Sequence, residues 1–127
     1  MGQQQLLLIV LGVIVVGIAV VVGINLFTAN AVSANRDGVV ADLNNLGAMA
    51  QQHYRKPTSM GGGGNAFTGW TIPTKLDTTP NGVYVASGIT ATNVTITGTG
   101  TEMGPNGSPI VHTATISPTV ITVVKTN

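Results

Sequence analysis

Side chains able to do chemistry are few in this sequence, and they are poorly spaced for it. The four acids are Asp37, Asp42, Asp77 and Glu102. A general acid and base working on one bond must face it together. Asp37 and Asp42, five residues apart, do not align well on one face of a helix. The two histidines, His53 and His112, have no cysteine and no carboxylate at ligand spacing beside them, so no metal site is expected. His53 reads as a solvated residue or a partner for the end of a helix. His112 alternates with Ile110, Ala114 and Ile116, the pattern of a partly buried strand histidine with its hydrogen bonds met. No serine lies in a nucleophile elbow, and the absence of cysteine removes disulfides, thiol chemistry and thiolate metal sites together. The run Gly61, Gly62, Gly63 and Gly64 has neither the Lys-Ser/Thr nor the preceding strand of a phosphate cradle, and reads as a flexible turn. No catalytic, cofactor or metal residue is expected, and the chain does not read as an enzyme.

Binding to nucleic acid is equally poorly supported. Five Lys and Arg against four Asp and Glu give a net charge of +1, and the cations are scattered. The aromatics Phe27, Tyr54, Phe67, Trp70 and Tyr84 are too few for continuous base stacking. Only 7% of residues are charged, whereas roughly 25% is usual for soluble domains. A neutral, Thr- and Gly-rich surface suits an assembly better than a freely diffusing catalyst.

The dominant element is the run 6–24, built from Leu, Ile, Val, Ala and Gly with no charged or strongly polar side chain. As a helix it extends about 28 Å, close to the roughly 30 Å hydrocarbon core of a bilayer. A signal peptide needs a basic start and a shorter apolar stretch; here Gln3, Gln4 and Gln5 precede a long one. The first charge is Arg36. Helical periodicity then continues over 25–56, with Leu26, Val32, Val39, Leu43, Leu46, Ala50 and Tyr54 at mostly three- and four-residue steps. Pro57 ends it, behind Arg55 and Lys56 that complement the helix dipole. One helix of about 50 residues is expected, oily all round at its start and amphipathic at its end.

Residues 57–81 form a Gly- and Pro-rich connecting loop, which Phe67, Trp70 and Ile72 are expected to pin to the helix. From residue 82 the period becomes two, and four short strands are expected over 82–87, 92–97, 109–116 and 119–125. A looser polar loop is expected over 98–108. The last strand, apolar on both faces, is expected to be buried on both sides. So small a sheet without disulfides must pack on the amphipathic part of the helix. The fold class is α+β: a long N-terminal helix carrying a small antiparallel sheet on its C-terminal half. The organisation expected is 1–24 apolar helix, 25–56 amphipathic continuation, 57–81 loop and 82–127 sheet.

An uncharged apolar N-terminal helix that continues as an amphipathic helix bearing a small antiparallel sheet resembles a type IV pilin. The resemblance covers the whole chain in architecture, and its specific part is the first 25 or so residues. It implies that a leader is removed by a dedicated peptidase and that the new N-terminal residue, Met1, is methylated. It also implies that the subunits wait in the membrane before an assembly machinery bundles their helices into an extracellular homopolymer, for adhesion or motility. The chain has Gln5 where pilins usually carry Glu at the fifth mature position. Filament-core contacts are then expected at Gln5, Leu8, Leu11, Ile14, Val16, Ile18 and Val21. Gly12, Gly17 and Gly23, among β-branched residues, mark where the helix is expected to unwind on assembly. Asn93-Val94-Thr95 and Asn106-Gly107-Ser108 fit the N-glycosylation pattern. Two other readings share the helix: a pseudopilin of a secretion or DNA-uptake system, and a single-pass anchored binding module. No cofactor is implied.

Overall fold

A computed structural model describes residues 2–127. Its elements are one α-helix, α1 (Gly2–Arg55), a short 3-10 turn (Thr58–Met60), and five strands: β1 (Thr78–Thr79), β2 (Gly82–Ser87), β3 (Val94–Met103), β4 (Pro109–Ile116) and β5 (Ile121–Lys125). The fold is α+β, as expected. The chain divides into two units, one reaching Ala31 and the other Val32–Asn127. In the first unit every described side chain before Ala31 is exposed.

The second unit holds the core. Its five strands form one antiparallel sheet in the order β1-β2-β3-β4-β5. One sheet face covers helix residues 32–55, where Val39, Leu43, Leu46 and Ala50 are buried against Tyr84, Val94, Ile96, Ile110, Ala114 and Ile116. The expected helix face is present from Val32 onward, but Leu26 is exposed. The other sheet face carries alternate residues in register: Val85–Thr97–Thr113–Val124 in one row, Ser87–Thr95–Thr115–Thr122 in the next.

Four expectations are corrected. The sheet has five strands, because Thr78 and Thr79 add a short rung to β2, opposite Val83 and Gly82. The stretch 98–103 belongs to β3 and is not loop. Gly98 and Gly100 occupy the inward positions there, and a Cβ at Gly98 would press on the Tyr84 ring and Val39, while one at Gly100 would strike Asn35 and Ile110. The glycines weaken the strand signal in the sequence, yet they are what lets the helix approach the sheet. β5 is an edge strand with one face half-buried and Val124 exposed, so its two apolar faces do not make it a central strand. The four-glycine run is not a loose turn. Gly63, Gly64 and Asn65 donate backbone N–H groups to the carbonyls of His53, Lys56 and Tyr54 at 2.8, 2.9 and 2.7 Å, closing the helix C-terminus that would otherwise leave acceptors open. A side chain at Gly62 would strike the Lys56 backbone, and one at Gly63 the Ala66 carbonyl.

The loop is pinned as expected. Phe67 and Trp70 are buried, Ile72 packs against the same core, and the Phe67 ring lies 4.9 Å from that of Tyr54. Gly100→Ala is expected to destabilise the second unit by about 1–3 kcal/mol, the usual cost of overpacking. Chemical unfolding of the full chain in detergent, followed through the buried Trp70, measures it.

Candidate functional site

Two features stand out: the exposed apolar part of α1, and a polar seam that fastens the helix to the sheet. The first is built from intrinsically mediocre helix formers, Val and Ile, interrupted by Gly. Each backbone group finds its partner within the helix, so the run needs no neighbour to satisfy hydrogen bonds. Its side chains are another matter. Leu8, Leu11, Ile14, Val16, Ile18 and Val21, the expected core contacts, are 53–68% exposed, and Gln5 is exposed with them. A Cβ at Gly12, Gly17 or Gly23 would meet nothing within 4 Å. Helix α1 passes through all three glycines without a break in the single chain. It is long and apolar enough to cross a membrane, with a mean hydropathy of 3.3 over its most apolar window. Met1, the expected processing and methylation residue, lies outside the described residues.

The seam runs along one face of the helix through Asn35, Gly38 and Asp42. Strand β3 is irregular between Thr99 and Met103, and this leaves backbone N–H groups without a rung. Asn35 Oδ1 accepts from the Thr101 and Glu102 backbone N–H groups at 3.0 and 3.1 Å, while its Nδ2 donates to the Asn81 carbonyl at 2.7 Å. Three donors converge on one oxygen of Asp42: Thr79 Oγ1 at 2.8 Å, Asn81 Nδ2 at 3.1 Å and Tyr84 Oη at 2.5 Å. The Asn81 side chain reaches them over Gly38, where a Cβ would come within 2.5 Å of its oxygen. Beside the seam, Arg36 Nη1 donates to the Asn127 carbonyl at 2.6 Å and faces His112 Nε2 at 3.5 Å.

Burial alone would raise the Asp42 carboxyl, but the three hydrogen bonds from Tyr84, Asn81 and Thr79 outweigh it and hold the group below the usual carboxylate range. Burial, with the Asp42 carboxylate as its acceptor, pushes the Tyr84 phenol up, so it stays protonated and donates. Burial and then the charges of Arg36 and Lys125 push His112 down, which keeps it neutral and able to accept from Arg36. His112 is thus a buried strand histidine with a partner, as its alternation indicates. His53 donates from Nε2 to the Thr68 carbonyl at 3.3 Å at the helix end.

The sequence reading gave Asn35, Arg36 and Asp42 no contact. Their signal was their spacing: Asn35 and Asp42 are seven apart, hence on the same helix face, next to the apolar Val39 and Leu43. Asp37 is exposed and apart from Asp42. Among the described residues no three His, Asp or Glu come together. The side chains of Asn93 and Asn106 are exposed; Asn106 Oδ1 accepts from the Ser108 backbone N–H at 3.0 Å. Comparison with known protein families, curated proteins and solved structures gives no match.

The seam predicts a two-step acid profile. For both His112 and Asp42 the folded pKa lies below the unfolded one, so the unfolded chain binds more protons and stability falls as pH falls. The His112 contribution is lost below its unfolded value of about 6.5, and that of Asp42 below about 3.9. Melting of the second unit in detergent is expected to drop in these two windows and stay level between pH 7 and 8. His112→Gln should remove the upper step, and Asp42→Asn the lower one while lowering the melting temperature at pH 7.

Proposed function

We propose that this protein is a structural subunit which polymerises into an extracellular filament of the type IV pilus kind through its apolar N-terminal helix. One observation carries the reading. Every large apolar side chain from Leu6 to Ile24 is at least 50% exposed, around the whole circumference of the helix, in a chain whose second unit has a buried apolar core of its own. Exposed apolar patches of this size mark an interaction surface, and one with no polar side fits lipid first and equivalent helices afterwards. A membrane holds the subunit before assembly, and an assembly machinery withdraws it. The finished polymer serves surface attachment or motility at the cell surface.

In such a core the three glycines allow neighbouring helices to approach closely. They also make Gly17, between Val16 and Ile18, the place where a turn opens on assembly. A filament density map with continuous i to i+4 bonding from residue 6 to 55 would contradict that opening. The N-terminal amine of a neighbour, which Glu meets in most pilins, has the amide oxygen of Gln5 as its acceptor here, assisted by Gln3 and Gln4. A short pseudopilin and a single-pass anchored binding module use the same helix, and electron microscopy of material sheared from cells separates them: only the filament reading gives long fibres containing this chain.

Val16→Asp places a charge where each buried large apolar side chain contributes about 1.5–3 kcal/mol. It is expected to abolish filaments while leaving the circular dichroism of the sheet unchanged. Gln5→Leu is expected to slow polymerisation and Gln5→Glu to be tolerated, both read as the rate at which filaments appear after induction.

A further inference from the structure

The sheet face turned away from helix residues 32–55 has no part in the core, the seam or the apolar helix. Its central row, Val85–Thr97–Thr113–Val124, crosses four strands in direct register. No residue of this row or its neighbours is charged, although surfaces of small domains normally carry roughly 25–35% charged residues. Lysines on a flat sheet face or edge are a usual block against sheet-to-sheet association, and this face lacks them. It also lacks what other partners require: a cation for anionic lipid or nucleic acid, and an aromatic ring on which a sugar or a base would stack.

We propose that this face is the surface by which copies of the assembled protein lie side by side, sheet against sheet. The inference rests on the filament reading. The central row reads the same in both directions, Val-Thr-Thr-Val. A two-fold axis parallel to the strands therefore sets Val85 over Val124 of a second copy and Thr97 over its Thr113, the self-complementary arrangement an isologous contact needs. Valine methyls close the margins, and the threonines between them offer both a methyl and a hydroxyl. Among the described residues, the hydroxyls of Thr95, Thr97, Thr113 and Thr115 make no hydrogen bond within the chain, so they are free to bond across the contact. Two such faces pack about 10 Å apart with their strands near alignment.

Strand spacing and rise give the face an area of roughly 400 Å². A stable interface buries about 800 Å² on each partner. A pair of single chains therefore falls short. Repetition along a filament makes up the difference, because each contact formed presents the next pair at high effective concentration. The face is built to join polymers, not monomers.

Purified filaments of the full chain decide the matter. Thr97→Lys with Thr113→Lys puts two cations at the centre of the face, on half-buried strand positions that alternate with the core residues and lie on the opposite side of the sheet. Wild-type filaments are expected in side-by-side bundles by electron microscopy, pelleting at low speed, with little change between low and high salt. Filaments of the double-Lys variant are expected to stay single at low salt, with the pelleted share reduced at least tenfold. Mixing them with Thr97→Glu, Thr113→Glu filaments is expected to restore bundling, which a merely misfolded face would not do. Double-Lys filaments that bundle like the wild type would overturn the proposal, as would wild-type filaments that stay single, or that adhere to cellulose or ice instead of one another. If no version polymerises, the filament reading itself fails. The face is then read with the full chain in phosphatidylcholine vesicles, where light scattering should show wild-type clustering, dispersed double-Lys vesicles and rescue in the Lys–Glu mixture. Vesicles that do not cluster there would dispose of the face as a contact.

Discussion

The second unit depends on one contact, the burial of a single helix face against a single sheet. A sheet of five strands with no cysteine and no second layer of its own cannot stay folded without covering its inner face. The cover is Val39, Leu43, Leu46 and Ala50, on successive turns of α1. Close approach is what makes so few side chains sufficient. Opposite the helix the sheet presents Gly98 and Gly100, so Val39 and Asn35 settle almost onto strand backbone. Packing at this distance raises the value of each helix residue and leaves no room for change in β3.

Tight apposition creates a polar problem, which the seam solves. A helix pressed on an irregular strand would shut backbone N–H groups away from water, and a buried unpaired donor costs about 1–3 kcal/mol. Asn35 meets two of them with one oxygen. Asp42 works differently: a carboxylate in a partly buried place is unfavourable alone, but it becomes an anchor once Thr79, Asn81 and Tyr84 all point at it. The same three bonds hold the β1–β2 corner, which has only a two-residue strand to secure it. No buried polar side-chain atom among the described residues lacks a partner. The seam therefore determines where along the helix the sheet sits, whereas apolar contacts alone would tolerate a shift of one turn.

Legibility from sequence followed the size of the periodic signal. The helix is a long run with one continuous pattern, and its end at Pro57 was read to within a residue of Arg55. Strands β2 and β4 alternate without interruption and matched their expected bounds. β3 did not, because Gly98 and Gly100 resemble loop in composition and show their purpose only when the helix is laid over them. β5 misled in the other direction. Ile121, Thr122, Val123 and Val124 look like a central strand, but sheet order, which no local pattern encodes, places them at an edge. The seam was invisible for a related reason: Asn35, Arg36 and Asp42 have partners 37 or more residues away. The apolar helix, by contrast, was legible throughout, since an unbroken apolar run of membrane length is a property of the residues themselves.

The exposure of that run carries the argument furthest. Seventeen large apolar side chains from Leu6 to Phe27 are uncovered, and at about 1.5–3 kcal/mol each their burial is worth a few tens of kcal/mol. The core side chains of the second unit are already buried against one another. Whatever covers the helix must be apolar on all sides of it, because no polar stripe marks a direction to keep toward water. Lipid meets that condition at once. Equivalent helices meet it too, and they alone make use of glycines that have nothing near them in the single chain. In lipid Gly12, Gly17 and Gly23 only weaken the helix. Between packed helices each would let two backbones come together, so three residues that only weaken the helix in lipid would be contact points in the assembly proposed above.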